Sequence, residues 1–289
     1  MIIFSGSKSV LLTKKVVRET NIDIGEREIR EFPDSEIYVR ILSDVHNETC
    51  ILIQSITDNS AMIETFLFLD ALRDLGAERI HAILPYLAYS RQDKRFEKGE
   101  ALSAKTVLNI IDNLSDSITV INSHFLNNEG VYNFHGVEIN NLDAFPLLVE
   151  YFKNGFNNAI IIAPDEGVKG YVSNAAKLFG CEFDYLEKKR IDSNNVEIKP
   201  KNVDVNGKDV VILDDMISTG GTMIEASKSL KSMGARTINI GCVHGVFSKG
   251  TEIFDSVCNT LVCTDTIERK ESDISVARLI GEWILKNLP

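Results

Sequence analysis

Cysteine is scarce in this chain. Cys50, Cys181, Cys242, Cys258 and Cys263 are scattered through 289 residues. None is paired at a metal-binding spacing, which removes both a disulfide framework and a zinc motif as organising devices. Several lie inside apolar, strand-like runs, so they read as buried free thiols in a reducing compartment. Positive charge is also short: 31 Lys and Arg stand against 42 Asp and Glu, for a net charge of −11. A general nucleic-acid binder needs clustered cations to neutralise phosphates, and an anionic membrane surface would repel this chain. No apolar run reaches the ~20 residues that span a bilayer. Met1-Ile2-Ile3-Phe4 lacks the basic flank and long apolar core of a secretory signal, so a cytoplasmic location is expected. There is no Pro/Gly linker, low-complexity tract or sequence-level repeat. The single tryptophan, Trp283, falls in an apolar helical stripe and reads as core or interface.

What is present is alternation. The length suits one large domain or two ordinary ones. Strand-like runs at 1–5, 34–41, 49–55, 80–84 and 118–121 are separated by helical patterns at 60–75 and 103–114. The pattern restarts near residue 142, with strands at 158–163, 210–213, 236–242 and 258–263 and helices between them. Such alternation predicts an α/β fold of two stacked domains, residues 1–142 and 143–289, each a mainly parallel sheet flanked by helices.

One stretch stands at the centre of this pattern. Val210-Val211-Ile212-Leu213 reads as a buried parallel strand. Asp214 and Asp215 follow where it is expected to end, then Ser218-Thr219-Gly220-Gly221-Thr222 and a helical pattern through Met223, Ala226, Leu230 and Met233. Ligands of open α/β sheets sit at the carboxyl ends of strands. A hydroxyl- and glycine-rich turn opening a helix offers N–H groups to a phosphate. The two carboxylates would repel that phosphate, so their place is one step away, on sugar hydroxyls or a cation. The Gly-x4-Gly-Lys spacing of a Walker loop is absent. An ordinary strand-to-helix turn with acids at the helix start is the blander account, and the two acids in register with Ser-Thr-Gly-Gly-Thr outweigh it.

Other segments carry polar chemistry without period. Arg91, Lys94, Arg95 and Lys98 concentrate positive charge beside a strand end in an acidic protein, as a polyanionic ligand would require. His124 follows the strand at 118–121. Glu187-Lys188-Lys189-Arg190 opens a polar stretch reaching Lys201, whose low apolar content suits a lid.

Taken together, the motifs resemble the ribose-phosphate pyrophosphokinases, in particular their shorter archaeal-type branch. The resemblance covers nearly the whole chain. It rests on Phe32-x-Asp34-x-Glu36, Pro85-Tyr86 through Arg91-Gln92-Asp93, Ser103-Ala104-Lys105, His124, Pro164-Asp165, Lys188-x-Arg190, Asp214–Thr222 and Thr264-Asp265-Thr266-Ile267. The fold it implies is type I phosphoribosyltransferase-like. The reaction it implies joins ATP and ribose 5-phosphate into 5-phosphoribosyl 1-pyrophosphate and AMP, with Mg2+. By resemblance, Phe32, Asp34, Glu36, Arg91 and Gln92 bind ATP. Asp214, Asp215, Ser218, Thr219, Gly220, Gly221 and Thr222 bind ribose 5-phosphate. His124 and Asp165 are metal ligands, and Lys188 and Arg190 are catalytic. The family also implies a homo-oligomer built on a dimer.

Three motifs depart from the commoner pattern. Asn122-Ser123-His124 replaces Asp-Leu-His, Ser218 replaces an Asp, and Ser35 replaces a Gly. Two other readings fit the same loop less well. A phosphoribosyltransferase would leave Arg91-Gln92-Asp93 without a task. A non-catalytic regulatory homologue predicts losses at Lys188, Arg190, His124 or the acidic pair, and all are present.

Overall fold

The structure is a computed structural model. It describes residues 1–153, 155, 158–190, 196–200 and 203–288, and for 188–190 and 196–199 it describes the backbone. The chain divides into two compact units: Met1–Leu142 with Thr266–Glu268 and Ser275–Pro289, and Asp143–Asp265 with Arg269–Ile274.

The first unit begins with β1 (Ile2–Ser5), α1 (Val10–Thr20), β2 (Asp23–Ile24), β3 (Arg27–Glu31), β4 (Ile37–Ile41) and β5 (Thr49–Ile53). It continues with α2 (Asn59–Asp74), β6 (Arg79–Leu84), α3 (Ser103–Leu114), β7 (Ser117–Ile121), β8 (Gly130–Phe134) and β9 (Val137–Leu142). Seven strands form one sheet in the order β2-β1-β5-β6-β7-β9-β8, parallel except for β8. Strands β5 and β6 are apolar on both faces because helices cover both. Their side chains from Cys50 to Ile53 and Ile80 to Leu84 are all buried. Asp58 caps α2 by accepting the Ala61 N–H at 2.9 Å. The core gathers Phe4, Leu52, Phe68, Leu69, Ile80 and Leu108.

The second unit holds α4 (Phe145–Phe152), β10 (Ala159–Ala163), α5 (Lys169–Phe179), β11 (Glu182–Arg190), β12 (Val196–Pro200) and β13 (Asp209–Ile217). It closes with α6 (Gly221–Ser232), β14 (Thr237–Gly245) and β15 (Thr260–Cys263). Its six-stranded sheet runs β12-β11-β10-β13-β14-β15, with β12 alone antiparallel. Each unit is thus a mainly parallel sheet flanked by helices.

Several expectations are corrected by pairing that the sequence pattern does not show. The final helix α7 (Ala277–Asn287) belongs to the first unit, so the second unit is not the whole of 143–289. It packs on α1, and at Gly281 a Cβ would come within 2.9 Å of Glu19 Cβ. Glu268 reinforces this return by accepting the Leu12 N–H at 2.7 Å. Residues 34–36, expected in a strand, form the tip of a separate two-stranded antiparallel sheet of β3 and β4. Met233, at the end of the helical pattern that follows the glycine turn, is 37% exposed and not part of the core. Lys188 and Arg190, read as part of a mobile polar loop, lie on β11, where the backbone pairs them with Ile198 and Val196 of β12. Residues 191–195, 201 and 202 of that stretch lie outside the described residues.

Candidate active site

In the second unit, the strand that begins at Asp209 does not stop before the two carboxylates. It carries them, because β13 stays paired to β14 as far as Met216–His244 and Ile217–Gly245. Asp214 and Asp215 are consecutive on β13, and their side chains lie close enough to interact. Asp215 is buried, and its N–H donates to Asp214 Oδ1 at 2.9 Å. Asp165 follows β10, the parallel neighbour of β13. Its carboxylate is anchored by the Gly167 N–H, 2.8 Å from Oδ1. Burial, then the Asp215 carboxylate, then Asp165 push the Asp214 carboxyl well above the ordinary carboxylate range. Three acids therefore share one neighbourhood.

Beyond Ile217 the chain turns sharply into α6. The turn is held to the next strand's exit: the Val246 and Phe247 N–H groups donate to the Ile217 carbonyl, and the Ser248 N–H to Ser218. Gly220 occupies the left-handed region at φ +80, and a Cβ there would stand 2.7 Å from the Phe254 ring. Only glycine meets both conditions. Gly220 is also the N-cap of α6, and no side chain caps that end. The first N–H groups of a twelve-residue helix are thus left without a side-chain cap directly after Ser218 and Thr219, an arrangement suited to a phosphate.

In the first unit, two segments leave the carboxyl ends of the adjacent parallel strands β6 and β7. The first, residues 85–102, carries Arg91, exposed, and Gln92, half-buried. The second carries His124, exposed, after Asn122 and Ser123. Asn122 is buried at φ +39, a left-handed backbone that asparagine tolerates. Asn141 of β9 steadies this loop: its Oδ1 accepts the Ser123 N–H at 3.1 Å, and its Nδ2 donates to the Asn128 carbonyl at 2.7 Å. Phe32, Asp34 and Glu36 are exposed at the tip of the β3–β4 hairpin, whose β4 rests on α2. His124 and Asp165 fall in different units. Among the described residues, no three His, Cys, Asp or Glu side chains gather to hold a metal on their own.

Residues 1–114 match the family described as the N-terminal domain of ribose phosphate pyrophosphokinase, and residues 144–275 match the phosphoribosyl transferase domain. A ribose-phosphate pyrophosphokinase 2 from Archaeoglobus fulgidus is 40% identical over 96% of this chain and 97% of its own. One from Methanosarcina acetivorans is 38% identical over 98% of both. The chain belongs to the ribose-phosphate pyrophosphokinase family.

It is an enzyme of the ribose-phosphate diphosphokinase class, related to the archaeal members. A solved phosphoribosylpyrophosphate synthetase from Mycobacterium smegmatis shares the fold, with a TM-score of 0.83 and 24% identity over 99% of each chain. Within this pyrophosphokinase, sequence reasoning passed over residues that support the expected site. Arg30 and Tyr38 flank Phe32 on the hairpin, and the Arg30 guanidinium lies 5.1 Å from the Phe32 ring centroid. Arg30 and Phe32 share a strand face at a spacing of two, a signal the alternation contained. Glu100 anchors the segment carrying Gln92, and no periodicity marks it.

Proposed function

We propose that this enzyme transfers the β,γ-pyrophosphoryl group of ATP to the 1-hydroxyl of ribose 5-phosphate, giving 5-phosphoribosyl 1-pyrophosphate and AMP for nucleotide biosynthesis. The observation that carries the assignment is the order found on β13 and α6. Two adjacent acids, Asp215 buried and Asp214 half-buried, lead within a few residues into a left-handed glycine and a helix start without a side-chain cap. A molecule with vicinal hydroxyls at one end and a phosphate at the other matches that order. The sugar hydroxyls would meet Asp214 and Asp215. The phosphate would meet Ser218, Thr219, Gly220, Gly221 and Thr222.

The nucleotide side falls to the first unit. Phe32 offers an aromatic face for the base, Asp34 and Glu36 accept from hydroxyl or amino donors, and Arg91 and Gln92 hold the nucleotide. In-line transfer between phosphorus and oxygen needs positioning and charge neutralisation more than a covalent nucleophile. Lys188 and Arg190 would supply that neutralisation. The two residues stand two positions apart on β11.

Hard oxygen donors in acidic surroundings fit Mg2+: Asp165 acts electrostatically on Asp214, and the negative charge the two would carry together favours a cation between them. His124 and Asp165 are the residues that would hold it, alongside phosphate oxygens and water. Bound there, the cation would screen the triphosphate and polarise the phosphorus under attack. No described helix is long and apolar enough to cross a membrane, and we assign the enzyme to the cytoplasm as a dimer-based homo-oligomer.

The test is AMP release from ATP. It should require both ribose 5-phosphate and Mg2+, and Lys188→Ala or Arg190→Ala should lower turnover by about two orders of magnitude or more. AMP release that ignores ribose 5-phosphate would refute the reaction. Undiminished turnover in both variants would refute the catalytic pair.

A further inference from the structure

Between β6 and α3, one carboxylate oxygen gathers the chain around itself. Glu100 Oε2 accepts the Phe96 N–H at 2.7 Å, the Glu97 N–H at 3.1 Å and the Gln92 side-chain amide at 3.2 Å. The Glu100 carbonyl accepts Arg95 Nε at 2.9 Å. Gly99, just before it, bends the chain at φ +94, where a side chain would be strained. Gln92 is fixed at its other end as well, its carbonyl accepting the Ala104 N–H at 3.3 Å in the first turn of α3. The N–H groups of Glu97 and Phe96 hold the Glu100 carboxyl below the usual carboxylate range, so it stays an anion.

The orientation of the Gln92 amide follows from its partners. Nε2 faces two groups that can only accept, the Glu100 carboxylate and the Lys94 carbonyl, the latter at 3.3 Å. An amide placed the other way round would set oxygen against oxygen at both. Oε1 is therefore turned away from Glu100 as an acceptor, and what it accepts from must carry an N–H or O–H.

We infer that Glu100 is a positioning residue for nucleotide binding: its caged carboxylate locks the Gln92 amide with Oε1 presented to a donor on the base. Set against the 6-position of a purine, such an acceptor favours the amino group of adenine over the carbonyl of guanine. The inference rests on the proposed role of Gln92 in holding ATP. Without Glu100 the Gln92 amide can rotate, and the cost falls on the nucleotide and not on the sugar phosphate.

Four variants test this: Gln92→Ala, Glu100→Ala, Glu100→Gln and the double Gln92→Ala/Glu100→Ala. Steady-state kinetics with ATP, GTP and ribose 5-phosphate, together with Tm, provide the readouts. Glu100→Ala should raise KM for ATP roughly tenfold, the scale of one lost charge-assisted hydrogen bond. It should also narrow the preference for ATP over GTP, with KM for ribose 5-phosphate and Tm near those of the parent. The double variant should be no worse than Gln92→Ala alone. Glu100→Gln keeps the shape but offers weaker acceptance, so it should fall between, and it carries the same test if the alanine variant does not fold. An unchanged KM for ATP in Glu100→Ala, with a raised one in Gln92→Ala, would overturn the role of Glu100 alone. An unchanged KM in Gln92→Ala would overturn the reading beneath it. Additive losses in the double variant, or equal rises in both KM values, would mark Glu100 as merely structural.

Discussion

Arg30 and Tyr38 are partners across the β3–β4 hairpin, and the Arg30 guanidinium carbon stands 4.5 Å from the Tyr38 ring centroid. The same guanidinium reaches the Phe32 ring at 5.1 Å, and Phe32 meets Tyr38 edge to face at 5.9 Å. Phe32 is 38% exposed, so an aromatic face is held ready at the surface without being submerged in the core. Phe32→Ala is expected to raise KM for ATP roughly tenfold, the scale of one lost stacking contact. Arg30→Ala leaves the ring but loosens it, and should raise that KM by about two- to fivefold, matching an exposed cation–π contact. Initial rates at varied ATP measure both. A normal KM in Phe32→Ala would remove the ring from base recognition.

The two adjacent glycines of the helix start should respond oppositely to alanine. At Gly220 a Cβ meets the Phe254 ring at 2.7 Å and φ is +80, so left-handed strain and overpacking add to about 2–4 kcal/mol. At Gly221 nothing lies closer than 3.9 Å, and stability should change by less than about 0.5 kcal/mol. Urea unfolding separates the two. If Gly221→Ala also lowers affinity for ribose 5-phosphate at unchanged stability, the backbone there approaches the phosphate closely.

Asp214 is held at a cost to the fold. Its folded pKa lies above its unfolded one, so the unfolded chain loses its proton first as pH rises. Stability therefore falls from the ordinary carboxylate pKa upward until the folded value is passed. Asp214→Asn removes that penalty. It should raise Tm at pH 7 to 8, with the gain shrinking as pH is lowered toward 4, while binding of ribose 5-phosphate is lost. Thermal unfolding across pH reads the sign, and a lowered Tm at pH 8 would contradict the assigned strain.

Ser35 sits at φ +71 in the hairpin tip, between the Phe32 carbonyl, which accepts its N–H at 2.8 Å, and Glu36, whose carbonyl accepts the Phe32 N–H at 2.8 Å. A glycine is at ease in that conformation, and serine is not. Ser35→Gly should stabilise the protein by about 0.5–1 kcal/mol, the relief of left-handed strain less the added freedom of the unfolded chain. KM for ATP should stay within about twofold, since the substitution keeps the backbone conformation of the tip and removes none of Phe32, Asp34 and Glu36. A loss of stability would show that the serine hydroxyl contributes more than its backbone costs.

Much of the molecule is legible from local pattern. Apolar runs such as Val210–Leu213 and Cys50–Ile53 announce strands buried on both faces, because nothing else places consecutive Ile, Leu and Val away from water. The Ser218–Thr222 turn is also local: its glycines and hydroxyls state their backbone demands within five residues. Gln92, Arg91 and Phe32 stand out only through motif resemblance, because they lie on a loop and a hairpin tip where period carries no message.

The remainder depended on partners distant in the chain. Asp214 and Asp215 lie within a strand and not after it, because β14 supplies hydrogen bonds as far as Gly245, and the length of a neighbour is invisible in the strand's own residues. Helix α7 returns to the first unit, where Gly281 lets it approach α1, a fit between two surfaces some 260 residues apart in the chain. Glu100 gathers three donors on one oxygen by way of a bend that no repeat encodes. Composition and periodicity decide which residues leave water. Which polar groups then satisfy one another is decided only when register and chain path bring them within 3 Å.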